Sequence, residues 1–198
     1  MKKLSLLMLV AFLTACVSAT NNLPPNLETE AGAGGGQYIR HVYFDYTSNE
    51  PTGLELAKQC IAVNVDNRTQ VITDSSSSWV GPYTKNYYQH GSTTAVAGGQ
   101  VVESVSKTLN SIVASGNMPY SIGLTNDLLR FKLILSLGEK GARISFINIQ
   151  RAQQSTGLLT NDGFSPVGVW LGSRYESAYE AIDKKASALA QCMNLTKI

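Results

Sequence analysis

The strongest constraint on the fold of this chain is a pair of alternating segments joined by a glycine-containing turn. Leu129–Leu137 has leucine or phenylalanine at every second position, Gly138–Gly141 follows, and Ala142–Gln150 is again rich in apolar residues. Alternation with period two is typical of strands with one buried face, so the pattern predicts a β-hairpin. The apolar positions change phase at Phe146–Ile147. That change indicates either a β-bulge or a strand covered on both faces.

Another strand and two helices are predicted on either side of this hairpin. Tyr38–Tyr46 alternates and is rich in aromatic and β-branched residues, which favours a strand. Glu50-Pro51 predicts the start of a helix that continues to about Val65, because proline suits a first helical turn and a broad apolar face follows. Ser173–Asn194 is the clearest helix. Its apolar residues recur every three to four positions, and Ser173 with Glu176 resembles a capping box.

The region between the first helix and the hairpin gives weaker signals. Asn67–Thr73 is predicted as a short strand. Lys85–Gln89 and Thr93–Ser106 are predicted as strands, with Gly98–Gly99 as a bulge or turn. A short helix over Val101–Ile112 is the alternative for the last of these.

These elements follow the order β-α-β-β-β-β-α, which predicts an α+β fold with two helices on one face of an antiparallel sheet. The order, together with the Leu129–Ile149 hairpin, is similar to the TATA-binding-protein-like fold. In particular it resembles the small domains of unknown function with that fold in secreted and lipid-anchored bacterial proteins. The resemblance supplies no catalytic residues.

Composition excludes two classes of protein. Of the 198 residues, 43% are hydrophobic and 15% charged, which fits one globular domain with an appendage and excludes a wholly disordered chain. The formal charge of +2 includes Lys2 and Lys3, which lie in a segment expected to be removed. No window clusters lysine and arginine as phosphate neutralisation requires, so no nucleic-acid partner is expected.

The first sixteen residues predict export. Met1-Lys2-Lys3 precedes an apolar run over Leu4–Leu13, which is the charge pattern and length of a secretory signal and too short for a membrane-spanning helix. The run ends Leu13-Thr14-Ala15-Cys16, which resembles the lipobox of bacterial lipoproteins. The resemblance implies cleavage after residue 15, acylation of Cys16 and a stable membrane anchor. By the same resemblance, Val17 in place of aspartate implies an outer-membrane location. An ordinary signal peptide, with Cys16 present by chance, is the alternative.

Residues 16–37 are predicted to be a flexible tether, and residues 38–198 a single globular domain. The tether segment contains Pro24-Pro25 and the glycine-rich Ala31–Gly36 and shows no apolar periodicity. As a coil, about twenty such residues would have a root-mean-square reach of about 25 Å.

If Cys16 is acylated, Cys60 and Cys192 remain as a pair in a compartment that permits disulfides. On a helical wheel Cys192 lies on the flank of its helix where a neighbouring helix would sit, and Cys60 lies in the first helix. We therefore expect a bridge between two adjacent helices. Two separately buried cysteines are the alternative.

Catalytic and metal-binding motifs are weak. His41 and His90 have no partner at metal-ligand spacing, so neither a metal nor another cofactor is expected. Ser104-Val105-Ser106-Lys107 matches the Ser-x-x-Lys pattern of penicillin-recognising enzymes, but the other motifs of that class are missing. A chance match is therefore the favoured interpretation.

The segment Trp79–His90 is the one candidate for recognition. It presents Trp79, Tyr83, Tyr87 and Tyr88 among glycine, proline and amide residues. Such rings bury large areas at small entropic cost, although they could instead cap an open end of the core. The sequence thus predicts a lipid-anchored, non-enzymatic envelope protein whose partner is an envelope protein or a glycan. An envelope hydrolase with an unrecognised active site is the alternative.

Overall fold

The structure is a computed structural model that describes residues 23–123, 125–157 and 159–198. Its main sheet is antiparallel, with the strand order β1-β2-β10-β9-β8-β7, while β11 pairs with β10 and β12 with β2. Two small two-stranded sheets, β3-β6 and β4-β5, lie outside it. The strands are β1 Leu27–Ala31, β2 Gln37–Thr47, β3 Gln70–Asp74, β4 Trp79–Val80, β5 Tyr87–Tyr88, β6 Ser92–Val96, β7 Val102–Ser106, β8 Ser111–Ile122, β9 Thr125–Gly138, β10 Gly141–Gln153, β11 Ser165–Pro166 and β12 Thr196–Lys197.

Two helices are present in the described residues, α1 (Leu54–Asn64) and α2 (Tyr175–Cys192), which confirms the α+β class. Neither is long and apolar enough to span a membrane. Both helices share one hydrophobic core with the sheet. Their buried residues, such as Ile61 and Ile182, pack with Leu133 and Phe146 from the central strands.

The predicted hairpin is β9–β10, and it forms the centre of the sheet. Leu129, Phe131, Leu133 and Leu135 are buried on the face that the helices cover. The register shifts between Ile147 and Gln150, and Asn148 adopts a left-handed conformation with φ of 51°. The change of apolar phase therefore marks a β-bulge.

Cys60 and Cys192 form a disulfide with a Cα–Cα distance of 5.7 Å, as predicted. Cys60 is buried within α1, whereas Cys192 is exposed at the last position of α2. The bond joins two neighbouring helices that are 132 residues apart in sequence.

The tether predicted over residues 16–37 is wrong from residue 27 onward, because Leu27–Ala31 forms the strand β1. Leu27 is buried and pairs with Val42, and Leu23 already packs against the core. The glycine-rich segment is a turn, closed by a hydrogen bond from Gly32 N–H to the carbonyl of Gly36. A Cβ at Gly32 would collide with the ring of Tyr38, so at least this glycine is needed for packing.

Both predicted helix starts need correction. The capping box of Ser173 and Glu176 is wrong: the N-cap of α2 is Arg174, which has φ of 58° and makes no side-chain capping bond. The Ser173 hydroxyl instead accepts a hydrogen bond from the N–H of Trp170. Pro51 does not lie in a first turn, since α1 begins at Leu54 after the N-cap Gly53.

The long strand β8 is missing from the prediction. The helix considered over Val101–Ile112 is wrong, and the preferred strand is confirmed as β7. Thr93–Ser106 divides at Gly98–Gly99 into β6 and β7, which belong to different sheets. The sheet β3-β6, called the ribbon below, packs Ile72 against Leu128 and Ala152 on the other face of the main sheet.

Candidate functional site

The four aromatic residues singled out in the sequence lie together on a small hairpin that extends the ribbon. In it, Trp79 pairs with Tyr88 and Val80 with Tyr87. We call residues 75–91 the aromatic arm. The arm leaves the ribbon after Asp74 and returns to it at Ser92.

The turn of the arm sets the positions of its rings. Gly81 N–H donates to the carbonyl of Asn86, and Lys85 N–H donates to the carbonyl of Gly81. The rings of Trp79 and Tyr88 stack with centroids 4.7 Å apart and planes 18° apart. A Cβ at Gly81 would lie 2.8 Å from the Tyr88 ring, so glycine is required for this close approach.

All four rings are accessible to solvent. Tyr83 is 96% exposed, Tyr87 56%, Trp79 49% and Tyr88 36%. Their neighbour Val80 is also exposed, and none of the five belongs to either hydrophobic core. The rings therefore form a surface patch and do not cap the core.

The serine run at the base of the arm has a structural role. The Ser78 hydroxyl donates to the carbonyl of His90 (2.8 Å) and accepts from the N–H of the same residue (3.0 Å). Earlier in the same strand, Ser76 N–H donates to a carboxylate oxygen of Asp74. The Ser78–His90 bonds tie the two strands of the arm together where it joins the ribbon.

Two asparagines that the sequence analysis did not identify fix the ribbon to the main sheet. Buried Asn117 donates its amide to the carbonyl of Arg68 at 2.8 Å and accepts from Gln70. Asn161 donates to the carbonyls of Thr73 and Gln153. Both side chains donate hydrogen bonds to carbonyls that are distant in sequence, so no local pattern identifies them.

The arm and the segment that follows it are almost free of charge. Between Ser75 and Val102 there is no aspartate or glutamate, and Lys85 is the sole lysine or arginine. Five surface clefts of about 290 to 750 Å³ lie elsewhere on the described residues, and none of these five includes a residue of the arm. The arm is thus a nearly uncharged, ring-rich surface that lies outside these five clefts.

A second cluster contains a buried acid. Asp127 is 1% exposed, accepts a hydrogen bond from the Tyr120 hydroxyl at 3.3 Å, and lies 3.6 Å from the Arg151 guanidinium. Burial raises the pKa of Asp127 above its usual range, and the charges of Arg151 and Arg174 oppose that rise. Burial likewise raises the pKa of the Tyr120 hydroxyl. Perturbed acids often mark active sites, but a substrate cannot reach a carboxylate this deeply buried. We therefore assign the cluster a structural role.

The remaining candidates are separated in the structure. Ser104 lies in strand β7 and Lys107 in the turn after it, so no helical turn places the lysine beside the serine.

His41 lies 3.4 Å from a Glu28 oxygen, and His90 closes the arm through its backbone. Within the described ranges, no three histidine, cysteine, aspartate or glutamate side chains converge as metal ligands would. The lipidation residue Cys16 lies outside the described residues.

Comparison with known proteins gives no family for this chain. No protein-family model matches it, and neither a curated protein nor a solved structure matches significantly.

Proposed function

We propose that this protein is a lipid-anchored, non-enzymatic module of the bacterial cell envelope that uses the aromatic arm to contact another envelope component. The exposed patch of Trp79, Tyr83, Tyr87 and Tyr88 carries the proposal. Tyrosine and tryptophan supply large contact areas at small entropic cost, which suits recognition of a protein or a glycan. In soluble proteins such patches are seldom present without a function.

Two observations support a location outside the cytoplasm. The leader ends in a lipobox-like sequence at Cys16, and the two other cysteines form a disulfide. Disulfides persist in oxidising compartments such as the periplasm and are rare in the cytosol. With Val17 after the lipobox, we assign the anchor to the outer membrane, with the domain on either of its two sides.

The TATA-binding-protein-like fold belongs to the same proposal. Its support is the order of seven elements, β2, α1, β7, β8, β9, β10 and α2, with the first of these strands beside the last in the sheet. The strand β1 and the ribbon strands β3 and β6 are additional to that order.

The anchor is tested by Cys16→Ser. Because lipidation begins with a thioether at the cysteine sulfur and the amide-linked chain is added to the same residue, this variant should lose all labelling by a fatty-acid analogue in cells. The control is Cys60→Ala/Cys192→Ala, which removes the other two cysteines together with their disulfide but should keep the label. Labelling that persists in Cys16→Ser would contradict the lipid anchor.

The contact surface is tested by Trp79→Ala and Tyr83→Ala. Both rings are exposed, so each change should cost about 1 kcal/mol or less of folding free energy, including the loss of the Trp79–Tyr88 stack. Each variant should nevertheless capture less material from solubilised envelope than the wild-type chain. Melting curves and capture are measured together.

Leu109→Ala provides the control, because Leu109 is 75% exposed in the turn between β7 and β8, away from the arm. This variant should behave as wild type in both assays. A large loss of stability with unchanged capture in the arm variants would reject the recognition surface.

A further inference from the structure

We propose that the component contacted by the aromatic arm is the lipid surface itself: the arm rests in the headgroup interface of the membrane that holds the anchor. This inference rests on the proposed lipidation of Cys16. It names the partner of the arm and assigns an orientation to the domain.

The exposed aromatic residues are concentrated at one end of the main sheet, the end with the β1–β2 and β8–β9 turns. The arm is held there because Asn161 joins Thr73 to Gln153, the last residue of β10. Trp170 is there as well, since its neighbour Val169 donates to the carbonyl of Gln37 at the start of β2. In the described residues, every exposed tryptophan, tyrosine or phenylalanine is in one of these two places: Trp79, Tyr83, Tyr87, Tyr88 and Trp170.

The exposed rings at this end of the molecule have the chemistry of an interfacial surface. Tryptophan and tyrosine favour the membrane–water boundary because their rings are apolar and their N–H and O–H groups remain hydrated. Exposed Val80 and Leu171 add aliphatic area beside the rings. The arm carries no carboxylate that would be repelled by anionic lipid, and Lys85 can bind a phosphate headgroup.

The shape of the arm favours a membrane over a glycan. Small-ligand sites are concave and place polar groups around the bound molecule. The arm is a projecting hairpin, and Trp79 and Tyr88 use one ring face each to stack on one another. A stacked ring pair on a hairpin whose base is closed by the Ser78–His90 hydrogen bonds is suited to insertion into the lipid headgroup interface.

The chain between the anchor and the domain is short enough to keep this surface at the membrane. Leu23 already packs on the core, so only six residues lie between it and Cys16, and the chain from Cys16 to Leu23 has a maximum reach of about 25 Å. Leu27 pairs with Val42, which is five residues from the start of β2, or about 17 Å from the aromatic end of the sheet. The anchor can therefore reach the membrane plane when that end faces the lipid. At such a high effective concentration, a weak insertion is sufficient.

Trp79 provides a direct test, because the chain has two tryptophans and Trp170→Phe leaves Trp79 alone. The full lipidated protein is placed in phosphatidylethanolamine–phosphatidylglycerol vesicles that contain a doxyl-labelled lipid. We expect the lipid-bound quencher to reduce Trp79 emission severalfold more than aqueous iodide does. Tyr83→Asp, which puts a charge at the exposed tip, should reverse this preference.

The matched control carries its reporter at the opposite end of the sheet. In Trp79→Phe/Trp170→Phe/Leu109→Trp, the introduced tryptophan lies in the β7–β8 turn, where Leu109 is 75% exposed. Iodide should quench this reporter strongly and the labelled lipid should not. Equal quenching of both reporters would overturn the proposed orientation.

The remaining outcomes separate this inference from the proposed function. A protein that floats with the vesicles while iodide still quenches Trp79 would overturn membrane docking and leave the anchor intact. If Trp79 then became shielded only in native envelope, recognition of a protein or glycan would stand in its place. A chain that neither carries lipid nor floats would overturn both proposals.

Discussion

Breaking the Cys60–Cys192 disulfide is expected to remove about 5 kcal/mol from the free energy of unfolding, equivalent to about 10 to 20 °C in melting temperature. The bond closes a sequence separation of 132 residues, which includes every strand from β3 to β11. Such a cross-link stabilises chiefly by restricting the unfolded chain, and its effect grows with the size of the closed loop. Its contribution should therefore exceed that of any single surface contact.

The measurement compares melting curves with and without a reductant. Cys192 is exposed at the end of α2 whereas Cys60 is buried, so reduction is confirmed by counting alkylated thiols before the melt. The Cys60→Ala/Cys192→Ala variant is the control: it should melt at the temperature of the reduced protein and show no response to the reductant. A melting temperature that reduction leaves unchanged would mean that the bond is absent from the purified protein or contributes nothing to its stability.

The elements predicted well from the sequence are those that bury only one face, because their apolar residues then recur with a regular period. The hairpin β9–β10 and the helix α2 each bury one side against the core, so period two and period 3.6 remain visible. Strand β8 was missed because Gly116, Asn117 and Pro119 interrupt its alternation. A Cβ at Gly116 would lie 2.8 Å from the Phe131 ring, and Asn117 holds the ribbon. These requirements come from distant residues, so a local window does not show them.

Distant contacts also explain why the tether prediction is wrong over Leu27–Gly36. A glycine-rich composition is typical of flexible linkers, but here Gly32 makes room for the Tyr38 ring beside a strand that pairs with β2. A strand as short as Leu27–Ala31 has too few alternating positions to be recognised before its partner is known.

For the candidate site, the composition of the sequence was sufficient to identify the arm, but only the sheet topology shows that Trp170 lies toward the same end. An unusual density of rings without core periodicity identified Trp79 to Tyr88 directly. The proximity of Trp170 to the same end of the sheet depends on the path of residues 165–169 beside β2 and β10. Trp79 and Trp170 are 91 positions apart and lie toward the same end of the sheet only through that pairing, which the sequence does not encode locally.

Arg151→Ala is expected to cost about 3 to 5 kcal/mol at neutral pH, because it removes the ion-pair partner of the buried Asp127 carboxylate and leaves only the charge of Arg174 nearby. Arg151 lies 3.6 Å from that carboxylate and also donates to the carbonyl of Ser173, next to the start of α2. Arg143→Ala is the matched control. Its partner Asp45 is exposed, and exposed ion pairs contribute about 1 kcal/mol or less. Urea unfolding of both variants gives the comparison.

The loss in Arg151→Ala should depend on pH in a defined direction. Burial already raises the pKa of Asp127 above its usual 3.8, and removal of the guanidinium raises it further. The folded state then binds the proton more tightly than the unfolded state does. Stability should therefore fall as the pH rises from about 3.8 to the folded pKa, and become constant above it. In the wild type the same slope should be present but smaller.

Asp127→Asn separates the buried charge from lost packing. The amide has no charge to bury, and its oxygen can still accept the hydrogen bond from Tyr120. Added to Arg151→Ala, this change should recover most of the lost stability and remove the slope with pH. If the double variant remained as unstable as Arg151→Ala at every pH, the arginine would act through its packing and its bond to Ser173. Recovery would instead show that Arg151 is needed because β9 brings an acid into the core, beneath the end of the sheet that carries the exposed aromatic rings.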